Sequence, residues 1–221
     1  MVIRALIFDF DGLILETEGP SYQSWKDVYQ SFGLSLPFST WSTIIGTTQG
    51  AFDPLQKLQS QVTSRVDWEA VEAQRMAREQ ALNEAQPVLP GVLRYLEDAQ
   101  DLGLKLGVAS SSSAKWVIGH LKRLGLDSIF DCVRTKDDVE HVKPYPELYL
   151  SVLNCLGIQA YEAIALEDSP NGVRSAKHAG IYCVAVPNPL TSRLSLEQAD
   201  LQLSSLEALP LKELLERVEL S

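Results

Sequence analysis

The side chains able to do chemistry gather at four places in the chain. Asp9 and Asp11 stand in Asp9-Phe10-Asp11-Gly12, at the end of the first apolar run. Ser110 follows a second run, and Glu167 and Asp168 follow a third, just before Ser169. Lys143 lies between the last two, in Val142-Lys143-Pro144-Tyr145-Pro146-Glu147. Singly each has an ordinary explanation, because acids after a strand serve as turn or cap residues and a lone Lys is solvated. Jointly, three strands delivering carboxylates or hydroxyls to one sheet edge is more than turn chemistry. Buried acids brought together repel one another, so the cluster calls for a cation. Oxygen donors without Cys or His suit Mg²⁺ better than zinc or copper.

The spacing of the first pair sets a condition on the backbone. Side chains at i and i+2 of a continuing strand share a face, which would send Asp9 and Asp11 into a covering layer. The strand must therefore end near Asp9, with Gly12 allowing a sharp turn that brings both carboxylates to the rim.

Other chemistries are excluded by what the sequence lacks. His120, His141 and His178 show no His-Glu-x-x-His spacing, and there is no Gly-x-Ser-x-Gly elbow, Walker loop or Gly-x-Gly-x-x-Gly turn. Cys132, Cys155 and Cys183 form no Cys-x-x-Cys pair, and their odd number in apolar surroundings fits reduced, buried thiols. Catalysis has to run on carboxylates, hydroxyls and Lys. The 221 residues carry 19 Lys and Arg against 29 Asp and Glu, a net charge of −10. Such a chain has no basic surface for nucleic acid. No apolar run approaches the roughly 18 residues of a membrane span. The start of the chain reads as a strand, not as a signal peptide, so a cytoplasmic location is expected.

The elements that must position these residues alternate. Strand candidates cover residues 3–8, 104–109, 132–135, 163–166, 182–186 and, weakly, 200–203. Helical spacing joins Val92, Leu96, Ala99 and Leu102, then Val117, Leu121 and Leu124 before Gly125, then Tyr149, Val152, Leu153 and Leu156 before Gly157. Ser169-Pro170 opens a further helix that stops at Gly180. The pattern predicts an α/β fold, a Rossmann-like, mostly parallel sheet with helices on both faces. Residues 17–84 break the alternation with a helix around Trp25 to Phe32 and an Ala/Glu/Gln/Arg-rich helix over 65–84. They read as an inserted α-helical cap, leaving 1–16 and 85–221 as the catalytic core.

In these motifs the chain resembles the haloacid dehalogenase superfamily, specifically its β-phosphoglucomutase-like and phosphatase branch with a helical cap after the first motif. Asp9-Phe10-Asp11-Gly12, Ser110, Lys143-Pro-x-Pro-Glu147 and Glu167-Asp168-Ser169 occur in the family's order. The resemblance implies that Asp9 attacks phosphorus to form an aspartyl-phosphate and that Asp11 protonates the leaving alkoxide, then activates water. It implies Mg²⁺ held by Asp9, Asp168 and the backbone carbonyl of Asp11, with Glu167 in support. Lys143 would neutralise charge beside Asp9, while Ser110 and the Ser111 N–H, placed at a helix N-terminus, would bind phosphoryl oxygens.

The expected function is Mg²⁺-dependent hydrolysis of a small phosphorylated metabolite such as a sugar phosphate, by a monomer or small homo-oligomer without nucleic-acid or membrane partners. Haloacid dehalogenase chemistry is disfavoured, because halide departs without the proton that Asp11 would supply. A β-phosphoglucomutase-like phosphomutase is the alternative. It is weakened because Glu16-Thr17, Ser21 and Gln49 stand where the resemblance would place an Asp-Thr hinge, a His and a phosphate-holding Arg. A non-catalytic aspartyl-phosphate switch fits the helical insertion and the second acid less well. Substrate choice is expected from the cap, with Glu18, Ser21, Trp25, Thr47, Thr48 and Gln49 as candidates, although core packing is the favoured role of Trp25. Lys115 and Asn171 lie beside motif residues. Trp41, Trp68 and Trp116, like the histidines and cysteines, are expected to be structural.

Overall fold

β1 (Ala5–Phe8) turns Leu6 and Phe8 to one face of its sheet and Ala5 and Ile7 to the other, and its neighbours divide in the same way. The computed structural model describes residues 2–44 and 52–220. In chain order β1 is followed by α1 (Glu18–Ser31), α2 (Phe38–Trp41), α3 (Pro54–Gln61), α4 (Trp68–Glu84) and α5 (Val92–Asp101). Next come β2 (Lys105–Ala109), α6 (Ala114–Leu124), β3 (Cys132–Arg134), α7 (Glu147–Leu156) and β4 (Ala163–Glu167). The chain closes with α8 (Pro170–His178), β5 (Tyr182–Ala185), β6 (Leu201–Gln202) and α9 (Leu211–Glu219). The chain folds into two compact units, Met1–Leu15 with Pro87–Ser221, and Glu16–Gln86.

The first unit is built on a sheet of order β3-β2-β1-β4-β5-β6 in which every pair is parallel. Leu6, Phe8, Leu106, Val108, Ile164, Leu166 and Val184 form one face and pack on α5, α6 and α9. Ala5, Ile7, Ala163, Ala165, Cys183 and Ala185 form the other face and pack on α7 and α8. The period of two explains both layers at once, because successive residues of a strand face opposite ways. Small residues on the second face let its helices come close. At Gly107 a Cβ would meet Val152 Cγ1 of α7 at 2.6 Å. Strand order reverses between β1 and β4, and at such a switch point ligands of open α/β sheets bind beyond the carboxyl ends of the strands.

The second unit is helical. Asp53 caps α3 by accepting from Gln56 N–H at 2.9 Å, and Asp67 caps α4 by accepting from Ala70 N–H at 3.1 Å. Arg75 of α4 is buried against α1: its guanidinium lies 4.7 Å from the Trp25 ring centre and donates to Ser24 Oγ at 3.3 Å. Glu72 at 2.8 Å and Glu79 pair with it. A buried cation survives here because carboxylates and an aromatic face replace its water.

Several elements differ from the sequence reading. The strands agree to within two residues at either end. The short helices α2 and α3 and the C-terminal α9 were not anticipated, although Leu211, Leu214 and Val218 recur at helical spacing and are fully buried. The long cap helix starts at Trp68, not at 65, because the Asp67 cap fixes its first turn. The cysteines require a larger correction. Cys132 and Cys155 form a disulfide with Cα atoms 6.3 Å apart, and Cys183 alone is free and buried. Their separation of 23 residues in sequence conceals that α7 packs directly over β2 and β3.

Candidate active site

β1 ends at Phe8, and Asp9 extends it by one more ladder bond, its N–H donating to Leu166 O at 2.9 Å. The chain then turns sharply. Gly12 has a φ of 83°, Gly12 N–H donates to Leu15 O at 2.7 Å, and a Cβ at Gly12 would lie 2.2 Å from Asp168 Oδ2. Gly12 is therefore needed twice, for its left-handed backbone and for the closeness of Asp168. β4 ends in Glu167, with Asp168 next. Ser169 caps α8 by accepting from Gly172 N–H at 3.2 Å, and Pro170 opens the helix.

Asp9, Glu167 and Asp168 come together. One carboxylate oxygen from each lies within 4.8 Å of the others, and all three residues are buried. Lys143 Nζ, itself buried, donates to Asp9 Oδ1 and to Glu167 Oε1, each at 2.6 Å. Tyr149 Oη donates to the same Glu167 oxygen at 2.6 Å, and Asp168 N–H donates to Glu167 Oε2 at 3.2 Å. Asn188 Nδ2 donates to Asp168 Oδ2 at 2.9 Å and to Gly12 O at 3.4 Å. The Asn188 side chain is fixed in turn by Leu190 N–H and Thr191 N–H, each 2.9 Å from its Oδ1.

Burial pushes the Asp9 carboxyl up to about 7 against the pull of the Lys143 ammonium, and Glu167 and Asp11 add to the rise. Burial works the other way on Lys143, but the Asp9 and Glu167 carboxylates outweigh it and hold the ammonium above its ordinary value. Among the described residues, Asp9 and Glu167 share the Lys143 ammonium, and Asp168 adds a third buried carboxylate beside them. An all-oxygen donor set with surplus negative charge fits a hard divalent cation such as Mg²⁺.

The second acid of the first motif is held elsewhere. The side chain of Asp11 is not part of the Asp9–Glu167–Asp168 group. Its Oδ1 accepts from the Trp116 indole N–H at 2.9 Å, and its Oδ2 accepts from Ser112 Oγ at 2.6 Å and Ser110 Oγ at 3.3 Å. Ser110 is fully buried at the end of β2, and its Oγ accepts from Ser112 N–H at 3.0 Å. Ser111 does not sit at a helix N-terminus. α6 begins at Ala114 with Ser113 as its cap, so Ser111 lies two residues upstream, in the connecting loop.

The loop bearing Lys143 is tied to α7 by Glu147. Its carboxylate accepts from Glu140 N–H at 3.0 Å and His141 N–H at 2.9 Å, and meets His141 Nδ1 at 2.7 Å. The His141 amide, more than any other group, holds the Glu147 carboxyl below its ordinary value. Lys115 is exposed, and Asn171 accepts from Arg174 of its own helix. In the helical unit Glu18 opens α1, Ser21 O accepts from Ser24 Oγ at 2.8 Å, and Trp25 is buried beneath Arg75. Thr47, Thr48 and Gln49 lie outside the described residues.

The family model described as haloacid dehalogenase-like hydrolase matches residues 6–186. The chain belongs to that family. The hydrolase is 45% identical over 217 residues to "Putative phosphatase YhcW" of Bacillus subtilis, covering 98% of each chain. It is 30% identical to hexitol phosphatase B of Escherichia coli, covering 96% of this chain and 97% of that one. Among solved structures it is similar to CbbY from Rhodobacter sphaeroides in complex with phosphate, with a TM-score of 0.73 and 27% identity. That match covers 93% of this chain and 95% of the other.

Four residues of the hydrolase's site escaped sequence reasoning. Asn188 could have been found, because it follows β5 at the edge to which β1, β2 and β4 deliver their residues. Tyr149 and Trp116 could not, because their helical spacing reads as core or surface. Ser112 differs from its neighbours in the Ser110–Ser113 run only through the loop's conformation.

Proposed function

We propose that the hydrolase is a Mg²⁺-dependent phosphomonoesterase for small phosphorylated metabolites of the sugar-phosphate type, working through a phosphorylated Asp9. The observation that carries this reading is the Asp9 carboxylate, set at the end of β1, paired with Lys143 at 2.6 Å and gathered with Asp168 and Glu167. The names of the relatives agree with it, two of them phosphatases and one bound to phosphate.

Asp9 and Asp168 would hold the ion, which when bound offsets charge on the phosphoryl oxygens. Asp9 attacks phosphorus through a carboxylate oxygen; a new P–O bond forms as the bond to the ester oxygen breaks. Asp11 gives its proton to the departing alkoxide. A water then attacks the phosphoryl group on Asp9 and passes a proton to Asp11, so that inorganic phosphate leaves and both acids return to their starting states. Lys143 steadies Asp9 and faces the anionic phosphoryl group. Ser110 supplies a hydroxyl donor. Glu167, already taking Lys143, Tyr149 and the Asp168 amide, positions the Lys instead of joining the reaction. The choice of substrate is assigned to the helical unit.

Purified protein with Mg²⁺ is expected to release phosphate from sugar phosphates and from p-nitrophenyl phosphate. Absence of release across a broad phosphomonoester panel contradicts the reading.

A further inference from the structure

We propose that Trp116 and Ser112 are positioning residues that clamp the two carboxylate oxygens of Asp11 and aim it for proton transfer. The inference rests on the role given to Asp11 above. Each oxygen is claimed by a different side chain of the β2–α6 segment, Oδ1 by the Trp116 indole N–H at 2.9 Å and Oδ2 by Ser112 Oγ at 2.6 Å. A carboxylate held at one oxygen can still rotate, whereas donors on both oxygens fix its plane and its direction. Asp11 needs this support because it stands in the turn immediately before Gly12, outside the β1 ladder.

The indole is a suitable clamp. It has a single N–H, accepts nothing, and moves about only two torsions. Its ring is itself held, with the His120 ring edge-on at 4.3 Å between centres. His120 is buried, accepts from Arg123 Nε at 3.2 Å, and packs beside Phe10 at 6.3 Å. Ser112 is fixed by the backbone, since its N–H donates to Ser110 Oγ at 3.0 Å and its carbonyl accepts from Lys136 N–H at 3.0 Å. The direction of Asp11 is thus set by α6 and the loop before it, the same loop that carries Ser110.

Leaving-group dependence separates this role from mere packing. Alkoxides need the proton of Asp11, while p-nitrophenolate departs without one. The quantity to measure is kcat/KM, which reports the first phosphoryl transfer and not the later hydrolysis. Trp116→Phe keeps the ring against His120 and removes the N–H. It is expected to lower kcat/KM for an alkyl phosphate about tenfold or more, and that for p-nitrophenyl phosphate about twofold at most. Ser112→Ala is expected to show the same split, and Ser112→Thr, which restores the hydroxyl, to reverse it. Ser112→Ala also decides the matter if Trp116→Phe fails to fold. Equal losses on both substrates, or no loss on either, overturn the clamp while leaving the phosphatase reading intact. A wild type inactive on both substrates overturns the phosphatase reading itself, and the clamp with it.

Discussion

Lys143 is the only cation hydrogen-bonded to Asp9 among the described residues, and it serves Glu167 at the same distance of 2.6 Å. Removing it leaves two buried carboxylates without their shared partner, so one substitution affects activity and stability together. Lys143→Ala is expected to lower kcat roughly a hundredfold or more, and to cost about 3–5 kcal/mol in urea unfolding of the metal-free protein. Gly12→Ala tests the turn. Its Cβ would lie 2.2 Å from Asp168 Oδ2 on a backbone at φ 83°, so Asp168 must move. Affinity for Mg²⁺, measured by activation of phosphate release, is expected to fall roughly 10–100-fold. The acids, Ser110 and Lys143 were legible because residue type and position after a strand suffice to mark them. Asn188 was open to the same reading, whereas Trp116, Tyr149 and Ser112 were not. Their parts depend on which way a side chain points, and a helical or loop position in sequence does not record that.

Elements fix the site by how closely they pack. α7 carries Tyr149 and approaches β2 so nearly that Gly107 has no space for a methyl group, its Cβ position being 2.6 Å from Val152 Cγ1. Gly107→Ala is expected to destabilise the protein by about 1–3 kcal/mol, read as a lower urea midpoint at unchanged slope. The start of α7 bears a second device, Glu147, whose bonds to the amides of residues 140 and 141 secure the loop that ends in Lys143. Its carboxyl is held below the ordinary value of 4.5 in the folded protein. The unfolded chain therefore binds its proton first, and this contribution is complete above that value and lost as pH falls below it. The stability gap between wild type and Glu147→Gln is expected to close on acidification below about pH 4.5; a gap that widens there contradicts the sign. The alternating pattern of the parallel sheet was legible, since every strand carries a β-branched or aliphatic run between helical stretches. α9 was missed because it follows no strand of more than two residues, and the short α2 and α3 contain too few turns to show a period.

At the scale of the whole molecule, the six-stranded core unites residues from four strand ends and one long loop at the switch point between β1 and β4. The same topology brings Cys132 and Cys155 together, a pairing that spacing alone cannot reveal. Thiol counting in denaturant is expected to find one reactive thiol before reduction and three after it, with reduction costing about 3 kcal/mol of stability. The acidic balance of −10 also takes on a local meaning, because Asp9, Glu167 and Asp168 are buried together, where they could hold a metal ion, instead of lying on the surface. Chelation of divalent ions is expected to abolish phosphate release reversibly, with Mg²⁺ restoring it. Whether Asp9 carries the phosphoryl group can be read by acid-quenching the Asp11→Asn variant during reaction with p-nitrophenyl phosphate, whose leaving group needs no proton from Asp11, and locating the phosphoryl group by peptide mass spectrometry. The peptide containing Asp9 is expected to be phosphorylated in Asp11→Asn and not in Asp9→Asn; an unmodified Asp9 peptide alongside an active wild type would contradict nucleophilic catalysis by Asp9.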